Sequence, residues 1–382
     1  MSSSINYNSD YKLILCCSRR VIDEETRSYI ESYLLCNLNW DNILKIAFHH
    51  KLLPLLYWNL KPFSQNVPDD VMGELREYFY KNLKKNLLMM GELLKIQKLL
   101  DLDEINSIPY KGPLLSILAY GNLGLRDFND LDIYVNISDV SRTMDILVEN
   151  GYKSEFYKKN SQNSAFCKYQ REYSLINNIP IEIKWKFMSP LFSINRSFDF
   201  HLNNYNYINY FNSIIKTLSN EELIIVLSIH NVSHYWSHLL MICDISEIIK
   251  SDKFLNWHQI IQNATEMGVA RILFVNLLLV NEIFGTELPE IVVKHINNDK
   301  SVIKISKQII EKISNGKNFT KSKKLILRIN LRERYINKYK DFINMVFLPT
   351  RGVIEFIPLP ESFFPLYRLL RFLQLFLNVL IK

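Results

Sequence analysis

Glycine and proline are scarce, 10 and 12 of 382 residues, which argues against a turn-rich all-β sandwich and excludes a collagen-like chain. Cysteine is scarcer still. Cys16, Cys17, Cys36, Cys167 and Cys243 form no CxxC or Cys/His metal spacing, and they are an odd set. A disulfide framework is therefore not expected, and a reduced, cytoplasmic protein is. No uninterrupted apolar run approaches the roughly 18 residues needed to cross a bilayer. The polar opening MSSSINYNSDYK suits neither a signal peptide nor a transit peptide.

What is abundant is apolar material: 48% of the residues are hydrophobic and 22% charged. That is enough for one large domain or two or three ordinary ones, mostly helical, and it excludes disorder. The net charge of +7 is 46 basic minus 39 acidic residues, and it is unevenly placed. Residues 300–340 hold thirteen Lys or Arg against Glu311 and Glu333, a local +11 that leaves −4 elsewhere. One segment carries the basic character.

Helical spacing runs through residues 24–60, and residues 67–102 read as one long helix with Pro68 near its start. Residues 106–110 are short and extended, Lys111-Gly112 punctuates them, and Pro113 suits a first helical turn. Residues 131–136 alternate, with Leu131, Ile133 and Val135 on one face, predicting a strand with one buried face. Ser138 is placed to cap a helix to Asn150, and Gly151 to end it. Residues 166–176 and 179–187 read as two strands turning at Asn177-Asn178. From about Ser213 the helical period returns, clearest over 220–250 and 257–284. The expected architecture is a small mixed α/β core embedded in helical flanks: 1–103 helical, 104–212 the core, 213–298 helical, and 299–382 basic and helical. The C-terminal LYRLLRFLQLFLNVLIK is an amphipathic helix, expected to pack on the protein rather than lie on a membrane.

The stretch IPYKGPLLSILAYGNLGLRDFNDLDIYV centres on Asp130 and Asp132. Alternate strand positions put both carboxylates on one face, where they can hold Mg²⁺, or Mn²⁺ in its place, together with substrate phosphates. By itself the pair is weak, since chance gives about four acid-x-acid pairs at this acidity, and Asp101 and Asp103 are another. Three neighbours strengthen it. Lys111 and Gly112 stand at a strand end before a helix, where a phosphate can approach closely. Arg126 lies four residues before Asp130, within reach of a triphosphate or of the carboxylates. In IPIEIKWKF, Glu182, Lys184 and Lys186 share one strand face, and Glu182 offers a third carboxylate.

Strand-Gly-helix, then Asp-x-Asp on a strand, then an acid on a later strand, resembles the DNA polymerase beta superfamily of nucleotidyltransferases. More narrowly, KG, YGNLGLRDFNDLDIYV, ILVENGY and IEIKW, flanked by AFHHKLLPLLYWNL and LSIHNVSHYWSHLLMICDISEII, are similar to an uncharacterised bacterial nucleotidyltransferase family over most of residues 39–289. The resemblance implies an enzyme that transfers an NMP moiety, AMP from ATP being the first expectation, to an acceptor that is a small molecule, a peptide or protein, or RNA. Asp130, Asp132 and Glu182 would be the catalytic metal ligands, with Glu182 also helping to activate the acceptor. Lys111, Gly112, Arg126 and Lys184 would bind nucleotide phosphates.

Two departures matter. Gly112 is followed by Pro113 instead of a small hydroxyl residue, and Lys184 stands where the narrower family commonly has His. Lys184 is expected to favour the ionised form of Glu182 and so weaken it as a base. His230, His234 and His238 recur every four residues, yet HNVSH lacks the glutamate of HExxH, so a polar helix face beside the catalytic unit is expected rather than zinc. Asp244 is expected on that same helix, capping or pairing within it. With acids crowded together, Asp132→Asn is expected to leave the apo protein as stable as before. The alternative function is a noncatalytic scaffold that binds nucleic acid or an anionic membrane through the basic segment.

Overall fold

A computed structural model describes residues 8–154, 157, 170, 172–187, 205–316, 318–349, 351–357 and 359–380. The expected strand residues 166–169 and 171 lie outside them, as does Cys167. The chain opens with α1 (Ser9–Cys17), α2 (Glu24–Leu34), α3 (Trp40–His49) and α4 (Leu53–Leu60), of which α1 was not anticipated. The long α5 follows (Asp69–Leu102), with Pro68 as its N-cap. Then come β1 (Ser107–Pro109), α6 (Gly112–Tyr120), β2 (Leu131–Val135), α7 (Val140–Glu149), β3 (Glu172–Asn177) and β4 (Ile179–Lys184).

These four strands form one sheet in the order β1-β2-β4-β3. The central pair β2/β4 is parallel and both outer pairs are antiparallel. The parallel register sets Asp132 beside Glu182 and Tyr134 beside Lys184. Asn178 turns the β3–β4 hairpin at φ +61°, a conformation that Asn tolerates and β-branched residues do not. That turn fixes the register that sets Lys184 opposite Glu172 and Glu182 opposite Ser174. Asn178→Val is expected to cost about 1 to 2 kcal/mol in urea unfolding, and Asn178→Gly close to nothing.

Strand β2 corrects the expectation of a single buried face. All five of its residues are buried, including Asp132 and Tyr134. Ser138 is not a cap either: it lies in a 3-10 turn (Ile137–Asp139), and α7 has no side-chain N-cap bond. Residues 213–218, read as helical, form a strand. β5 (Tyr205–Tyr210) and β6 (Ser213–Leu218) make a second hairpin, where the run of Ile214, Ile215 and Thr217 favours extended backbone.

The helices expected over 220–250 and 257–284 are each broken. Residues 220–250 divide into α8 (Asn220–Ser233) and α9 (Leu240–Ser251), joined by a turn in which Tyr235 and Trp236 take φ values of +51° and +49°. Burial holds that unfavourable turn in place. Trp236 is fully buried, and its indole N–H donates to Asn276 Oδ1 at 2.8 Å. Residues 257–284 divide at Gly268, φ +70°, into α10 (Trp257–Met267) and α11 (Ala270–Phe284).

The remaining helices are α12 (Glu290–Asn298), α13 (Lys300–Ser314), α14 (Lys321–Asn330), α15 (Tyr335–Phe347), α16 (Arg351–Phe356) and α17 (Leu366–Leu380). The basic segment is partly structural. Val302, Ile305, Ile309, Ile310 and Ile313 enter the core shared with α1, α4, α8 and α11, and the fully buried Arg332 pairs with Asp341 at 2.9 Å. Lys312 Nζ donates to the Tyr235 and Trp236 carbonyls at 2.9 and 2.8 Å, clamping the α8–α9 turn. On α17, Tyr367 is fully buried against Val353, Ile354 and Phe364, whereas Leu366, Leu369, Phe372 and Leu373 remain exposed. Packing therefore covers only part of its apolar surface. Among the described residues no helix is long and apolar enough to cross a membrane.

Candidate active site

Between the sheet and the α8–α9 turn lies a cavity of about 390 Å³. Lys111, Gly112, Arg126, Asp130, Asp132, Glu182 and Lys184 all line it, so the fold brings together every site residue expected from the sequence. The groove between α5 and β6 is larger, about 690 Å³, but offers Lys95, Lys98 and one acid, Asp101. Convergent chemistry, not volume, picks the site.

The cavity is built from the ends of neighbouring elements. Gly112 starts α6 at φ +56°, and a Cβ there would meet the Asp130 carbonyl oxygen at 3.2 Å. Only glycine combines that conformation with so close an approach. The loop into β2 hangs from α5. Asn82 donates to the Gly124 and Arg126 carbonyls, Asn86 donates to those of Leu123 and Arg126, and Tyr78 and Lys85 bind the Asp127 carboxylate. Residues 78, 82, 85 and 86 recur at helical spacing, so one face of α5 sets the position of Asp130.

One carboxylate oxygen from each of Asp130, Asp132 and Glu182 lies within 4.8 Å of the others. All three donors are hard oxygens, a set that suits a small divalent cation of the Mg²⁺ kind. Asp132 is buried and ion-paired twice, Oδ2 to Lys111 Nζ at 2.7 Å and Oδ1 to Lys184 Nζ at 2.5 Å. Lys184 also reaches Glu182 at 2.7 Å and Glu172 at 3.3 Å. Burial alone would raise the Asp132 pKa, but the Lys111 and Lys184 ammoniums beside it hold it far below the usual carboxylate range. Glu182 moves the opposite way from the expectation. Burial, with Asp132 and Glu172 nearby, pushes its pKa up and outweighs the opposing pull of Lys184.

Arg126 makes its ion pair outside the triad. It grips Asp244, Nε on Oδ1 at 2.9 Å and Nη2 on Oδ2 at 3.0 Å, while the Tyr120 hydroxyl donates to Asp244 Oδ1 at 2.9 Å. Its Nη1 is buried and has no hydrogen-bond partner, which leaves one donor for a phosphate. Asp244 sits on α9, not on the helix of His230, and its partners come from the α/β core rather than from its own helix.

The histidines likewise do not share one helical stripe. His230 is on α8, His234 is its C-cap, and His238 lies beyond the turn, with Nδ1 on the His49 carbonyl oxygen at 2.6 Å. His230 Nδ1 is 3.4 Å from Lys111 Nζ, and loss of hydration together with that ammonium lowers its pKa well below the ordinary imidazole value. All three nonetheless line the cavity, and among the described residues no His or Cys set gathers as metal ligands.

A family model described as an uncharacterised nucleotidyltransferase matches residues 37–285. The chain belongs to this nucleotidyltransferase family. Its match takes in the α3–α4 segment, the whole sheet and helices α8 to α11. No curated protein matches, and no solved structure does. The cavity and the family agree on the class of enzyme, one that transfers a nucleotidyl group from an NTP.

Glu172 and Lys51 are among the cavity residues of this nucleotidyltransferase that escaped the sequence reading. The expected two-residue turn at Asn177-Asn178 would pair residue 172 with 183, whereas the observed turn, centred on Asn178 alone, sets Glu172 opposite Lys184. Lys51, at φ +60° after α3, lines the opposite wall with no local motif to announce it.

Proposed function

We propose that the chain is a divalent-metal-dependent nucleotidyltransferase that transfers an NMP moiety, AMP from ATP in the first instance, to a hydroxyl of a small molecule, a protein or an RNA. The convergence of Asp130, Asp132 and Glu182 carries this reading. A divalent cation bound there would supply charge neutralisation and alignment of the α-phosphate. Asp130 and Asp132 hold it, Asp132 from a rigid buried strand. Lys111 at the α6 N-terminus and Arg126 through Nη1 bind the β- and γ-phosphates and stabilise the charge that builds on the leaving group. The acceptor oxygen bonds to the α-phosphorus, the bond to the bridging oxygen breaks, and pyrophosphate departs with that electron pair. The acceptor proton goes to Glu182, the third carboxylate of the triad.

The test is incubation with each labelled NTP, Mg²⁺ and cell extract, and a search for transferred label. Transfer from one NTP, lost in EDTA, is the expected result. A non-hydrolysable analogue of that NTP should raise the melting temperature with Mg²⁺ and much less without it. Equal shifts in both conditions, with no transferred label, would count against the carboxylate site.

A further inference from the structure

Lys184 occupies a position that an ordinary surface lysine does not. An ammonium has three N–H donors, and three carboxylates surround this one, Asp132 at 2.5 Å, Glu182 at 2.7 Å and Glu172 at 3.3 Å. The side chain is 6% exposed. Two of those three carboxylates, Asp132 and Glu182, belong to the acid triad whose oxygens gather within 4.8 Å. The third, Glu172, stands directly opposite Lys184 across the β3–β4 ladder, is partly exposed, and is not in the triad.

We propose that Lys184 is a resident counter-cation of the acid triad, which a divalent metal must displace in order to bind, so that the free enzyme is held in a low-affinity state for metal. This rests on the triad being the metal site. A carboxylate oxygen of Asp132 or Glu182 that stays paired with the ammonium cannot also ligate a cation at about 2.0–2.1 Å, the Mg²⁺ distance. Charge repulsion between an ammonium and a divalent ion sharing those ligands makes simultaneous occupancy worse. Displacement is feasible because the four-carbon stem is flexible and Glu172 lies outside the triad, a carboxylate on which the released ammonium can rest. Lys111 is a built-in control. It carries the same charge and touches the same aspartate, but through Oδ2, and it has no ion pair with Glu182.

The experiment titrates Mn²⁺ into the full-length protein without nucleotide and follows free Mn²⁺ by paramagnetic resonance, for wild type, Lys184→Met and Lys111→Met. Removing Lys184 should tighten Mn²⁺ binding about tenfold or more, and removing Lys111 should do distinctly less. The melting temperature lost in Lys184→Met should be recovered by Mn²⁺, which takes over the balancing of the carboxylates. In case Lys184→Met does not fold, the wild type carries a second readout. Amine-directed labelling of Lys184, measured by peptide mass spectrometry, should rise on saturation with Mn²⁺.

Unchanged affinity in Lys184→Met, an equal gain in Lys111→Met, or unchanged labelling at saturating Mn²⁺ would overturn the displacement model while leaving the metal site intact. The metal-site reading is tested separately, by Mn²⁺ binding to wild type and Asp132→Asn in the presence of a non-hydrolysable NTP. If neither binds, that reading falls and the role of Lys184 with it.

Discussion

Asp132→Asn is expected to lower nucleotidyl transfer by roughly 10²- to 10³-fold or more and to destabilise the protein at the same time. The catalytic loss follows from the removal of one charged oxygen ligand at the centre of the triad. The stability loss follows from the pairing. Asp132 is 3% exposed and bonds two ammoniums, those of Lys111 and Lys184, each side chain itself 6% exposed. Neutralising it leaves Lys184 two other carboxylates, but leaves Lys111 with His230 Nδ1 at 3.4 Å and the Tyr110 ring at 5.7 Å, neither of them an ion pair. Breaking such a buried pair costs about 3 to 5 kcal/mol. Urea unfolding of the apo variant measures the second effect, and transfer assayed well below its melting temperature measures the first. Repulsion among the acids predicted no loss of apo stability; the two lysines reverse that sign. Wild-type transfer by a less stable variant would leave Asp132 a purely structural residue.

Asp244→Ala is the second large effect, and it should act first on stability. The Arg126–Asp244 pair joins the loop before β2 to α9 through three guanidinium hydrogen bonds, with the Tyr120 hydroxyl as a second partner of Asp244. Truncation strands a buried guanidinium, whose Nη1 already lacks a partner. A cost of about 3 to 5 kcal/mol is expected, read as a lower urea midpoint with an unchanged slope. Because Arg126 lines the cavity, KM for the NTP should rise as well. A midpoint within experimental error of wild type would mean that Arg126 finds another counter-charge.

The features legible in the sequence were those set by local chemistry. Lys111-Gly112-Pro113 marked a strand-to-helix turn, Asn177-Asn178 marked a hairpin, and Asp130 with Asp132 marked converging acids, although Asp130 stands just before β2 and not on it. Each depends on a few consecutive residues. The parallel pairing of β2 with β4, which sets Asp132 beside Glu182 across fifty positions of chain, has no local signature. Nor has the choice of Asp244 as the partner of Arg126, since many acids compete for one arginine until the fold removes the rest. The α8–α9 break was missed because Tyr235 and Trp236 have helical spacing and no glycine. A buried indole and a lysine from a later helix impose the turn there.

That lysine carries a consequence for the order in which the molecule is made. The wall of the cavity formed by His234, Ser237 and His238 is secured by Lys312, and also by the His49 carbonyl from α3. The acid triad is complete once residue 182 has been synthesised, but the turn facing it waits for residue 312. A growing polypeptide therefore carries its metal ligands through a long interval before the opposite wall is fastened. Chains halted before α13 should hold the carboxylates without a finished chamber, so the last third of the protein sets the moment at which activity begins.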